Sequence, residues 1–344
     1  LLAVSRYLDS RSEPAASVSA PEAAQADASG LEVHFLDIGQ GDSALLFCGD
    51  ETLLIDGGKV KNNQKLIARL KELEVDHLDA VICSHPDEDH CGGLSAVLAS
   101  TRTDAFYCSV DSWHTKVFSD VTKYVAEQGI SVTIPQAGDT FAFSDASVEF
   151  LGPVVDYGDD PNEGSLVARV RYGETSFLFT GDMGFEAEDD MLAAGVDVSA
   201  TVLKVAHHGS AGSSSTEFLQ AVHPQYAVIS VGADNDYGHP TEAALNRLSA
   251  CGIPVYRTDL LGEIIAVSDG KTVTITSASN EAPPASDAAS QTAGSYGYVG
   301  NSSSKVVHLA SCGKLPGESN RVYFASLDKA LAAGYCKHAN CLGN

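Results

Sequence analysis

The chain has 344 residues, 44% hydrophobic and 19% charged, enough to build a core in one large domain or two smaller ones. No stretch reaches about eighteen apolar residues, so the sequence offers no membrane-spanning helix. A formal charge of −25 argues against broad electrostatic affinity for nucleic acid.

The first residues, LLAVSRYL, read as the cut end of an apolar segment. SEPAASVSAPEAAQADASG follows, too polar to bury a core, so residues 1–30 are expected to be a remnant plus flexible linker. A trimmed export signal or anchor accounts for both features and implies an extracellular or envelope location. A trimmed cytosolic piece is the plainer account.

A body is expected over residues 31–277. LEVHFLD, SALLFC and TLLID are short strands separated by Gly turns, an antiparallel meander. NQKLIARLKEL puts Leu66, Ile67, Leu70 and Leu73 on one helical face. The strand DAVIC then leads into SHPDEDHCGG and a helix to about Ser100. AFYCSV is a strand, and SDVTKYVAEQG is a helix stopped by Gly129. VEFLG, LVARVRY and SFLFTG are strands, FEAEDDMLAAG a helix, TVLKVA a strand, TEFLQAV a helix and YAVISVG a strand. TEAALNRLSACG is a helix with Thr241 as N-cap; PVYRT, EIIAVS and TVTIT close the body as strands. Two mixed sheets packed face to face with helices outside satisfy this α/β order.

Residues 278–294 read as a second linker, and residues 295–344 as a separate small module. That module carries Lys305, Lys314, Arg321, Lys329 and Lys337 against Glu318 and Asp328, a net +3, which leaves −28 for the rest. Tyr296, Tyr298 and Tyr323 are read there as exposed aromatics compatible with nucleic acid. Three of the eight cysteines, Cys312, Cys336 and Cys341, crowd this end. Cys83 and Cys108 sit in runs that read as neighbouring strands, so either a disulfide or two buried thiols is expected there.

Three clusters carry chemistry. His85, Asp87, Asp89 and His90 fall within six residues at a strand end. Acids alone there would suit a helix N-terminus, but that account leaves the two histidines unexplained. Imidazole with carboxylate suits Zn, Mn or Fe. Asp182 follows the strand FLFTG, and His207 and His208 follow LKVA. A strand-end carboxylate can bridge two cations. In the tail, His308-x₃-Cys312 and His338-x₂-Cys341 have the spacing of a tetrahedral structural zinc site. A disulfide of Cys312 with Cys336 or Cys341 is the alternative, and Cys336 is an extra thiol able to compete as ligand.

FLDIGQGDS, SHPDEDHCGGL, NEGSLV, FTGD, LKVAHHGS and SVGADNDYGHP together resemble the soluble hydrolase domain of the ComEC/Rec2 family of DNA-uptake proteins, over about residues 31–277. The resemblance implies an αββα metallo-β-lactamase-fold sandwich of two mixed sheets with outer helices. It implies one divalent metal, Zn or Mn, on Asp89, His90, Asp182 and one His of the His207–His208 pair, and a second on His85, Asp87 and the bridging Asp182. His208 is favoured within the pair because the last ligand His of the wider fold often precedes Gly. Asp89, His207 and Asp182 are the implied catalytic residues, His207 as proton donor or phosphate contact. Gln40, Asn162, Ser165 and His239 are the implied substrate contacts, with Asp42 in the same pocket loop as Gln40. Two positions depart from the wider fold. Asp87 stands where a second His is usual, and Asn162 where a later His is expected. The harder donor set leans the second site toward Mn²⁺ or weak occupancy.

YVGNSSSKVVHLASC and NRVYFASLDKALAAGY resemble the Ada-type metal-binding domain, with His338 where that family has the first Cys of its last pair. This implies a zinc-binding α+β module. The expected activity is metal-dependent phosphodiester hydrolysis, as an extracytoplasmic nuclease on DNA using a two-metal-activated water. The alternatives are a hydrolase of teichoic acid, choline phosphate or a small nucleotide, with the tail associating with the cell wall, or a metal-loaded binding protein without turnover. No protein partner can be inferred.

Overall fold

Many strands of the body are apolar on both faces and need cover on both sides. The computed structural model describes residues 30–233, 235–279 and 298–342, apart from 302, 310, 311, 313, 318, 319, 325, 326, 333 and 334. Most of the two segments read as linkers, and Tyr296, lie outside the described residues.

Strands β1 (Leu31–Phe35), β2 (Ala44–Cys48), β3 (Glu51–Ile55), β4 (His77–Cys83), β5 (Arg102–Cys108) and β6 (Val132–Thr133) begin one sheet. Strands β7 (Thr140–Phe143), β8 (Ala146–Gly152), β9 (Val167–Tyr172), β10 (Thr175–Phe179), β11 (Val202–Lys204), β12 (Tyr226–Ile229) and β13 (Val255–Arg257) form the second. Strands β14 (Ile264–Ser268) and β15 (Val273–Ser277) return to the first, giving the order β15-β14-β1-β2-β3-β4-β5-β6. The second sheet runs β13-β12-β11-β10-β9-β8-β7. Both are mixed: β3 to β6 and β10 to β13 are parallel, and the remaining pairs antiparallel.

The two-residue period sorts the side chains into layers. Leu46, Leu53 and Ile82 of the first sheet share the core between the sheets with Phe177, Phe179 and Val228 of the second. Their neighbours Leu45, Leu54 and Val81 turn to the helices over the first sheet, and Leu178, Leu203 and Ile229 to those over the second. The result is the expected four layers. Helix Asn63–Glu72 buries Leu66 and Leu70, and Lys116–Glu127 buries Phe118, Val121 and Val125. The latter stops before Gly129, whose φ of +76° is the left-handed conformation glycine adopts at least cost.

Strands β6 and β7 were not expected: the first has two residues and the second lies near the sheet edge, where little alternation is imposed. Cys83 stands opposite Cys108 in the β4–β5 register, and both are buried free thiols. Thr241 accepts a hydrogen bond from Ala244 N at 3.3 Å as N-cap of helix Glu242–Ala250. Thr241→Ala should cost about 1 kcal/mol. An unchanged urea midpoint in that variant would mean the cap contributes nothing.

The tail holds β16 (Tyr298–Asn301), β17 (Val306–Leu309), β18 (Arg321–Phe324) and β19 (Cys336–Lys337) in the order β18-β16-β17-β19. Val307, Val322, Phe324, Ala330 and Tyr335 form its core, and Tyr298 packs against it. Tyr298 is therefore a packing residue rather than the exposed aromatic expected; the Tyr323 side chain lies outside the described residues. Among the described residues no helix is long and apolar enough to cross a membrane.

Candidate metal centre

Strand β3 is parallel to β4, and β2 is antiparallel to β3, so the ends of β3 and β4 and the start of β2 share one edge. The ends of β10 and β11 and the start of β9 share an edge of the other sheet in the same way. The two edges meet, and the side chains there face one another.

After Cys83 the chain enters the expected cluster. Asp87 precedes one helical turn, Glu88–Cys91, which turns Asp89 and His90 inward. Gly93 lets this turn lie against the loop after β3, because a Cβ there would collide with the Gly57 carbonyl. His90 Nδ1 donates to Asp56 Oδ2 at 2.9 Å, which aims Nε2 at Asp182 Oδ1, 3.0 Å away. His208 Nδ1 donates to the Ser230 carbonyl at 2.9 Å, which aims its Nε2 at Asp182 Oδ2 (3.5 Å) and Asp89 Oδ2 (3.7 Å). His85 Nδ1 is engaged by Ser84 Oγ at 3.0 Å and Ser165 Oγ at 3.3 Å, and its Nε2 lies 3.9 Å from Asp87 Oδ2.

Each imidazole thus has one nitrogen fixed behind and one offered forward. His85 Nε2 and His208 Nε2 are buried without a hydrogen-bond partner, and His90 Nε2 and Asp182 Oδ1 face each other at 3.0 Å but have no hydrogen bond of good geometry. Such atoms are costly to leave unpaired, and several gathered at one edge fit a divalent cation. Asp42, His90, Asp182 and His208 also offer atoms within 4.8 Å of one another. Asp42, however, meets His208 on its Nδ1 side, at 3.1 Å, and its other oxygen is 2.6 Å from Lys204 Nζ. It lies behind the forward nitrogens and is neutralised there, whereas Asp89 Oδ2 faces His208 Nε2 from the front.

The charge pattern agrees. Burial opposes a charged His90, but Asp182 and Asp56 outweigh it and raise its pKa well above the ordinary imidazole value. Burial opposes a charged His208 too, and Asp182 with Asp42 raises it to about 10. Burial, then the neighbouring His90 charge, pushes His85 down to about 3. Burial would raise Asp182, yet His90 and His208 hold it well below the carboxylate range. This is a strongly cation-attracting centre in which a metal and protons compete for the same nitrogens.

His207 and His208 both have positive φ, 51° and 52°. This uncommon pair of left-handed residues sends His208 into the centre and leaves His207 partly exposed, its Nε2 3.6 Å from Asp182 Oδ2. His239 is half-buried with its ring 5.5 Å from that of His207. Gln40 accepts from Gly232 N at 3.2 Å and keeps a buried Nε2 without a partner; the Asn162 Oδ1 is likewise buried and unpartnered. Ser165 departs from the role expected of it. It is fully buried, its Oγ accepts from Asp182 N at 3.1 Å, and it steadies His85, so it positions the donors from beneath rather than meeting substrate.

Asp56 and Lys204 were missed. Asp56 ends the strand in LLIDGG, a carboxylate before a Gly pair, so a signal exists; it receives bonds from Ser84 N, Ser84 Oγ and His90 Nδ1. Lys204 looks like an ordinary strand-end cation, and only the fold shows it buried against Asp42.

In the tail, His308, Cys312, His338 and Cys341 gather within 4.8 Å, a Cys/His site. The His308 and His338 rings are 4.0 Å apart, and His338 Nδ1 is 3.2 Å from Cys341 Sγ. Cys312 and Cys341 are free thiols, and Cys336 is exposed and outside the group.

Residues 36–233 match the family model described as the metallo-beta-lactamase superfamily. The chain is 31% identical over 251 residues to ComE operon protein 3 of Bacillus subtilis, covering 68% of this chain and 32% of that protein. It is 36% identical over 230 residues to competence protein ComA of Neisseria gonorrhoeae, covering 66% of this chain and 31% of that one. It is 30% identical over 241 residues to recombination protein 2 of Haemophilus influenzae, covering 68% and 28%. The chain therefore spans about a third of the length of these relatives.

Proposed function

This chain belongs to the metallo-β-lactamase superfamily of hydrolases, and from that premise we propose that it is a metal-dependent phosphodiesterase that cleaves DNA by a two-metal-activated water. The observation that carries the reading is the set of buried atoms on His85, His90, His208 and Asp182 that lack a hydrogen bond of good geometry. Bound divalent cations supply a water of lowered pKa and charge stabilisation at phosphorus. Asp89, His90, Asp182 and His208 form the nitrogen-rich group; His85 and Asp87, with Asp182 shared, form the harder one, which favours Mn²⁺. His207, beside Asp182 and partly exposed, is suited to hand a proton to the leaving alkoxide.

The names of the relatives, competence and recombination, favour DNA as substrate. The acidic body counts against free DNA binding, but cations in the centre reverse the local potential. The test is to strip metals from the chain and restore Mn²⁺, Zn²⁺ or Mg²⁺ with single- and double-stranded DNA and with bis-p-nitrophenyl phosphate. Metal-restored cleavage of DNA is the expected result. Cleavage of the small diester with DNA left intact would move the substrate to another phosphoester. No cleavage of either would reduce the centre to metal binding.

A further inference from the structure

We propose that Tyr237 is a stacking platform for a nucleobase, with Lys59 beside it holding the adjoining phosphate at the mouth of the metal centre. This rests on the phosphodiesterase reading and names which part of the substrate the centre grips.

Tyr237 is 59% exposed, the most exposed large apolar side chain among the described residues. Nothing in the core requires it there, yet it is held in place. Its hydroxyl accepts from Lys59 Nζ at 3.2 Å, and its ring lies 5.8 Å from that of His239 at an interplanar angle of 22°. Asn235 builds the loop beneath it. Its Oδ1 accepts from Tyr237 N at 3.2 Å and His239 N at 2.9 Å, and its Nδ2 donates to the Gly232 and His239 carbonyls. A ring fixed before binding loses little freedom on stacking.

The ring also leads to the chemistry. From Tyr237 the rings pass to His239, and from His239 to His208 at 6.4 Å and His207 at 5.5 Å. Lys59 Nζ stands between Tyr237 and Asp89, 3.9 Å from Asp89 Oδ2. A phosphate at the centre would meet this ammonium, and its nucleoside would lie along the exposed ring. Base–aromatic stacking needs no particular base, as a degradative site requires. A quaternary ammonium would also seek an aromatic face. Lys59 already sits 5.0 Å from this ring centroid and would repel a second cation, which favours the base.

The test is calorimetric binding of dAMP, 2-deoxyribose 5-phosphate and phosphocholine to the Mn²⁺-loaded full chain. The wild type should favour dAMP over the sugar phosphate by roughly tenfold. Tyr237→Ala should erase that preference without weakening the sugar phosphate, and Tyr237→Phe should keep it. Lys59→Met should weaken both nucleotide and sugar phosphate to a similar degree. Equal affinities in the wild type, a preference that survives in Tyr237→Ala, or tighter phosphocholine binding would each overturn the platform. A Tyr237-dependent preference in a protein that cleaves no DNA would leave the platform standing and remove the nuclease reading instead.

Discussion

Asp182→Ala is expected to lower metal-restored hydrolysis by at least about 10³-fold while the far-UV circular dichroism stays unchanged. Asp182 reaches three imidazoles within 4.0 Å: His90 at 3.0 Å, His208 at 3.5 Å and His207 at 3.6 Å. It is the carboxylate shared by the two donor groups proposed, so its loss should remove metal as well as rate. Metal content after dialysis should fall along with turnover. Removing a positioning residue should act more mildly. Ser165→Ala deletes the hydroxyl that bonds Asp182 N and His85 Nδ1, and about 10- to 100-fold is expected there. Activity of Asp182→Ala within tenfold of wild type would place the hydrolysis at another site or in a contaminant.

The difference between those two residues reflects what a sequence can reveal. Asp182, His85, Asp89 and the His207–His208 pair stand out in the sequence because each lies close after an apolar run and their types share an affinity for cations; the choice of His208 within the pair came from the resemblance. The first three strands and the long helices were legible because their periods are regular, and helices Lys116–Glu127 and Glu242–Ala250 also carry a side-chain N-cap. Ser165 and Lys204 carry no such local mark, whereas Asp56 does, as a strand-end carboxylate before a Gly pair. A serine before a strand looks like a turn former, and only the β9–β10 pairing places it under Asp182. The platform proposed at Tyr237 gave no local sign either, since it depends on Lys59, 178 residues away in sequence. Local chemistry names the groups that must meet; long-range pairing decides which lie in front and which behind.

Lys204 makes that point measurable, because Lys204→Met is expected to destabilise the body by about 3–5 kcal/mol. Lys204 is 4% exposed and Asp42 5% exposed, and the ammonium lies 2.6 Å from Asp42 Oδ2 while donating to the Val205 carbonyl at 2.9 Å. Methionine keeps much of the shape but leaves a buried carboxylate facing His208 without its main counter-charge. Replacing both partners, as Asp42→Asn with Lys204→Met, should recover most of the loss, since the uncompensated charge goes with them. The pH dependence gives an independent sign. In the wild type burial would raise the Asp42 pKa, but Lys204 and then His208 hold it below the ordinary carboxylate value. Its stabilising contribution is therefore present above that value and lost as pH falls through the folded pKa. Without Lys204 the largest of the charges that hold it down is gone and the pKa rises, so the variant's deficit should be largest at neutral pH and shrink as acid protonates Asp42. Urea titrations of the three proteins at pH 7 and pH 4 would measure this. A single-variant loss under about 1 kcal/mol, or a deficit that grows in acid, would mean that Lys204 does not hold the charge behind His208.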